Sequence, residues 1–208
     1  MSVHLVATVA GTPIPVDEVD AAEARLRKGP RAAALPASGT SEGRQLRRWL
    51  TQLIVTKRVV AAEAAARGLT AVTSEAAPTE AELLPDVTAR LEIGSVAAAV
   101  LADPYARALF ADVTAAVQVT DDDVADYHTR NPLRFAAPRR GRHGWRAPSL
   151  VGPPLEQVRC TIAEHLRAAA RRRAFRVWLD ERRAALVELA PGYEHPGDPR
   201  QPDNSHRH

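Results

Sequence analysis

Residues 46–69 read LRRWLTQLIVTKRVVAAEAAARGL, and the fold follows from how their apolar side chains repeat. Leu46, Trp49, Leu50, Leu53, Ile54, Val60 and Ala64 recur at three and four residues, which places them on one stripe of an α-helix. Arg44, Arg47, Arg48, Lys57 and Arg58 lie mainly off that stripe and are expected in solvent. Gly68 followed by Leu69 predicts a left-handed stop with an apolar contact back onto the last turn. The helix therefore spans about Ser41 to Arg67.

Before this helix, residues 4–16 (HLVATVAGTPIPV) predict two short strands turning at Ala10-Gly11. Asp17 is expected to cap a helix over 16–28 that stops at Gly29-Pro30, and residues 31–43 read as a loop. After it, Thr79 begins a helix behind Pro78, and Asp103-Pro104 begins another whose apolar face holds Leu101, Tyr105, Leu109, Phe110 and Val113. In VTDDDVADYHTRNPLRF (119–135), Thr120 and Asp123 form a capping box, and the helix ends before Asn131-Pro132. Three successive carboxylates point in different directions on a helix, so they favour capping over a metal.

Residues 136–154 (AAPRRGRHGWRAPSLVGPP) predict a linker or ordered loop. A second long helix follows, with Leu155, Val158, Ile162, Leu166, Ala169, Phe175, Trp178 and Leu179 on its stripe and an arginine-rich opposite side. Residues 186–189 then read as a strand whose partner is the N-terminal hairpin, since an isolated hairpin is only marginally stable. The predicted fold is mainly α with a small antiparallel sheet from the N-terminal hairpin and a C-terminal strand. Residues 1–135 and 155–190 make one helical module, 136–154 a loop, and 191–208 a tail rich in histidine and proline.

The totals agree with a folded domain: 208 residues, 45% hydrophobic and 25% charged, with only 4% aromatic. A net charge of +3, with acids spread among the bases, does not point to nucleic acid. A lone cysteine, Cys160, excludes an intramolecular disulfide. No apolar window approaches a membrane span and the N-terminal stretch is broken by His4, Thr8 and Gly11, so a cytoplasmic protein is expected.

In order, VATVAGTPIPVDEVD, LRRWLTQLIVTKRVVAAEAAARGL, VTDDDVADYHTRNPLRF and PLEQVRCTIAEHLRAAARRRAFRVWLDERRAALVEL resemble the SurA/PrsA-type foldases. The resemblance implies one SurA-like helical chaperone module that binds extended chains in apolar grooves. In that family a parvulin prolyl-isomerase domain is inserted after the third block; here the loop 136–154 stands in its place, so no such isomerase activity is expected. The tail resembles that of short parvulin-less relatives from high-GC bacteria, some of them linked to polyketide and antibiotic biosynthesis.

Three functions follow as expectations, the last of them a structural partner that stabilises another biosynthetic protein. The first is a chaperone-like module, with a groove of Trp49, Leu53, Phe110, Phe135, Trp145 and Trp178 and no cofactor. The alternative is a cytoplasmic isomerase or cyclase acting on a polyene or polyketide chain bound to a carrier protein, so whether the chain is an enzyme stays open. In that alternative Cys160, off the helix stripe beside Arg159, would be the catalytic thiol: it adds to a conjugated thioester and leaves after rotation about the double bond. The bland reading of Cys160 is a small packing residue. The partners implied are an extended apolar peptide or polyketide chain, an acyl carrier protein attracted to the arginine-rich helix, and a second copy in a homodimer. Among the histidines, His195, His206 and His208 in HPGDPRQPDNSHRH are metal-ligand candidates, set against a reading of the tail as a strap. HExxH, CxxC, Walker and Gly-x-Ser-x-Gly motifs do not occur.

Overall fold

The computed structural model describes residues 4–70, 75–135, 139–140, 146–147 and 152–194, with 139–140 and 146–147 as backbone only. Trp145 and the tail histidines His195, His206 and His208 lie outside the described residues. In chain order the elements are β1 (Leu5–Val9), β2 (Thr12–Pro15), α1 (Val16–Arg27), α2 (Ser41–Ala66), α3 (Glu80–Leu83), α4 (Val87–Ile93) and α5 (Ser95–Val100). They continue with α6 (Pro104–Val113), α7 (Asp121–Arg130), β3 (Arg139–Arg140), β4 (Arg146–Ala147), α8 (Leu155–Leu186) and β5 (Val187–Leu189).

The fold is mainly α with one small antiparallel sheet in the order β2-β1-β5. Ala10 and Gly11 both take positive φ, 48° and 76°. Two left-handed residues in succession let a two-residue turn follow the twist of its strands. Pro13 and Pro15 lie on β2, an edge strand, where their missing amides leave no ladder bond unmade. On the other side of β1, Ala7 faces Leu189 and Val9 faces Val187. The expected Asp17 cap is not formed: α1 starts at Val16 behind Pro15, and Asp17 and Glu18 occupy its first turn, where negative charge still suits the positive end of the helix.

The chain divides into two compact units, Met1–Val113 with Phe175–His208, and Thr114–Ala174. The expected segment 1–135 divides after Val113, and 155–190 divides within α8, between Ala174 and Phe175. In the smaller unit Val124, Val158 and Ile162 are buried together, with Val119, Tyr127, Phe135 and Leu166 packed against them. Arg159 bonds Asp121 and Tyr127 bonds His165, the same offset of 38 residues in both cases, so α7 and this part of α8 run parallel. The predicted capping box is present, Thr120 accepting from the Asp123 amide while Asp123 accepts from the Thr120 amide. Within the loop 136–154, Arg139–Arg140 pairs with Arg146–Ala147, a ladder that its proline and glycine content conceals. At its far end Gly152 approaches the chain so closely that a Cβ there would lie 1.9 Å from the Pro132 carbonyl oxygen.

In the larger unit α2 is the central element, packed against β1, α1, α5 and α6. Its ends are set as the residues predict. The Thr40 hydroxyl accepts from the Gly43 amide at 3.1 Å. At the other end Gly68, at φ 66°, turns the chain so that its own amide reaches Ala65 and the Leu69 amide reaches Ala64, both at 3.0 Å. The buried face is wider than the apolar stripe: Thr51, Gln52 and Thr56 have no exposed area, and Arg48 retains only 8%.

Arg48 therefore does not lie in solvent as its place off the stripe suggests, because the C-terminal segment covers it. Its Nε donates to the Gly192 carbonyl at 3.2 Å, and Gln52 Nε2 donates to the Tyr193 carbonyl at 2.8 Å. The other end of the Gln52 amide accepts from Arg183 of α8, while Tyr193 packs against the core. Replacing Gln52 by Ala leaves a half-buried guanidinium and a carbonyl without their partner, a loss of about 2 kcal/mol. Chemical denaturation of Gln52→Ala is expected to show that loss; a change below about 0.5 kcal/mol would mean that the seam contributes little.

Candidate functional site

Towards its C-terminal end α2 exchanges large side chains for small ones. Val60, Ala61, Ala64 and Ala65, together with Leu69, Val100 and Tyr105, line an open groove of about 470 Å³. The cause is local: alanine keeps the helix regular while removing the volume that would fill the space. The Gly68 stop then brings Leu69 back against the same turn. Lys57, Arg58 and Asp103 line the remainder. Arg58 pairs with Glu18 at 3.0 Å, and Asp103 caps α6 by accepting from the Tyr105 amide at 2.8 Å. Lys57 has no acidic partner among the described residues. The groove is thus an apolar trough with a cationic end.

Behind it, Glu63 holds α2 to α8. Burial drives its pKa up, but hydrogen bonds from Arg67 and Arg182 and their charges outweigh that and keep it below its ordinary value of 4.5. Arg182 donates at 2.7 Å. Arg67 also meets Asp112 at 3.2 Å and lies 5.2 Å from the centre of the Trp178 ring. This cluster fixes the helix that carries the groove floor.

The expected groove residues that the structure describes fall elsewhere. Trp49, Leu53 and Trp178 are partly buried against the main core, and Phe110 belongs to it with 1% exposure, its ring 5.1 Å from Phe175. Trp49 Nε1 donates to the Ser95 hydroxyl at 3.3 Å and Trp178 stacks on Phe175 at 5.5 Å. An enclosed ring cannot line an open trough, which corrects the reading of Phe110. Phe135 lies in the smaller unit beside Tyr127 and His165, at 6.2 and 6.1 Å. Large aromatics mark where a small protein needs packing volume; the alanine run at 61–66 was the signal for the groove.

Cys160 is exposed on α8. Its neighbour Arg159 is turned to Asp121 at 2.9 Å and Glu156 at 3.6 Å. His128 reaches the Pro153 carbonyl at 2.9 Å, and His165 meets the Tyr127 hydroxyl at 3.2 Å. Among the described residues no three His, Cys, Asp or Glu side chains converge on a possible cation position, and no helix is long and apolar enough to cross a membrane.

Residues 5–42, which hold β1, β2, α1 and the first residues of α2, match a family of unknown function, DUF7158. No curated protein and no solved structure matches the chain.

The sign of the Glu63 effect can be tested. A carboxyl held below its ordinary pKa stabilises the fold above that value and loses the contribution as pH falls through the folded one. Glu63→Gln is therefore expected to melt at lower temperature near neutral pH, with the gap to wild type closing as the pH is taken from about 5 to about 3. A gap of constant size across thermal melts in that series would rule out the ionic contribution.

Proposed function

We propose that the chain is a binding module of the chaperone class, holding extended segments with apolar side chains in the α2 groove and lacking parvulin-type prolyl isomerase activity. The observation that carries this is the open trough of about 470 Å³ with an alanine- and valine-rich floor. Small floor residues leave room for the side chains of a guest, and apolar burial without directional contacts suits guests of varied sequence. Lys57 at the rim, which has no acidic partner among the described residues, favours guests that carry an acidic residue beside the apolar ones. The resemblance to foldase modules supports the same role. The alternative, turnover of a carrier-bound polyene at Cys160, draws no support from the groove, since the thiol is not among the residues that line it.

Filling the trough tests the proposal. Wild-type protein should slow the aggregation of a chemically unfolded client and bind a labelled extended peptide with alternating apolar residues and one aspartate. Ala61 is an exposed residue of the lining, so Ala61→Trp should keep the melting temperature while weakening the peptide by about tenfold in anisotropy titrations. Equal protection by Ala61→Trp, or no protection by wild type, would overturn it.

A further inference from the structure

A second groove lies wholly within the smaller unit, and its chemistry differs from the first. Between α7 and α8, Val119, Leu166, Ala169, Ala170 and Tyr127 form an apolar floor, and Arg130 and Arg173 stand in the lining. The volume is about 300 Å³, at the lower end of the range for small-ligand sites. The parallel course of the two helices produces this arrangement. It places the acidic starts of both at one end, where Asp121 is taken by Arg159. The arginines collect towards the other.

Among the described residues those arginines have no acidic counterparts. Arg130 donates its Nε to the Asp126 backbone carbonyl at 3.2 Å, which leaves its two terminal nitrogens, and among the described residues neither Arg130 nor Arg173 forms an ion pair. Arg171 nearby is engaged by the Thr114 hydroxyl at 2.8 Å, and Arg167 crowds it with like charge. The groove does contain one carboxylate, Asp123, but its oxygen accepts from both the amide and the hydroxyl of Thr120. Asp123 also lies seven residues from Arg130, about 10 Å along the helix. The anionic end and the cationic end of the groove are thus separated by an apolar floor of that length.

We propose that this groove binds a small amphiphilic oxyanion: an alkyl chain of about 10 Å along the floor, with a carboxylate or phosphate head held between Arg130 and Arg173. Guanidinium is the group suited to such heads, because its planar fork donates two parallel hydrogen bonds to one oxyanion. Neither half of the ligand suffices alone. An apolar chain without charge leaves the two cations uncompensated, and a bare anion forgoes the floor.

Calorimetric titration with four probes separates these cases: octanoate, octyl phosphate, octanol and inorganic phosphate. Octanoate or octyl phosphate should bind at least tenfold more tightly than octanol or inorganic phosphate, and the stronger of the two identifies the head group. In the double variant R130Q/R173Q the preference should vanish, both side chains being exposed and the melting temperature therefore retained. Ala61→Trp, which fills the other groove, should leave octanoate binding unchanged. The inference fails if octanol or inorganic phosphate binds as tightly as the amphiphiles, if R130Q/R173Q binds like wild type, or if Ala61→Trp abolishes the signal.

Discussion

The central helix α2 carries polar groups on a face that the fold buries, and the rest of the larger unit depends on satisfying them. Gln52 is wholly enclosed, and its amide is matched at both ends, by Arg183 on one side and by the Tyr193 carbonyl on the other. Arg48 reaches Gly192 in the same seam. These partners come from the last part of the described chain, so α2 is solvated satisfactorily in only two situations: open to water, or with the C-terminal segment in place. Apolar surface alone would accept many coverings; a buried amide accepts few. The seam thereby selects one closure, and β5 completes it by pairing with β1.

With the helix held in this way, its alanine-rich end can remain unfilled. Glu63, bonded to Arg67 and Arg182, anchors α2 next to Ala64 and Ala65, so the trough rests on a braced element. Side chains that a packed core would require there are supplied instead by Phe110, Phe175 and Leu109 on the other elements. The division of labour is between a rigid interior rich in bulky residues and a surface floor composed of small ones.

Much of the architecture was legible in the residues because it rests on local rules. The Ala10-Gly11 turn, the Ser41-to-Arg67 limits of α2 with its Gly68 stop, and the Thr120/Asp123 capping box each depend on a few neighbouring side chains. The strand at 187–189 was legible for a different reason, since a lone hairpin needs a partner. What escaped was non-local. Nothing in the spacing of Arg48 or Gln52 tells that a segment more than a hundred residues away will cover them. Aromatic residues likewise announce burial but not which surface stays open: Trp49 and Trp178, read both as groove residues and as packing between the two long helices, pack against the core, and Phe110 lies within it. Glycine at 152 showed only as part of a loop, and the contact that requires it lies with Pro132.

That contact has a consequence for how the chain can change over evolution. Pro132 and Gly152 bring the two stems of the intervening segment to touching distance, and His128 bonded to Pro153 fastens the same point. A segment whose stems are already clamped is topologically a closed ring attached at one spot. The entropic penalty for lengthening such a ring grows only with the logarithm of its length, so extra residues between these stems would cost the unit that bears them little.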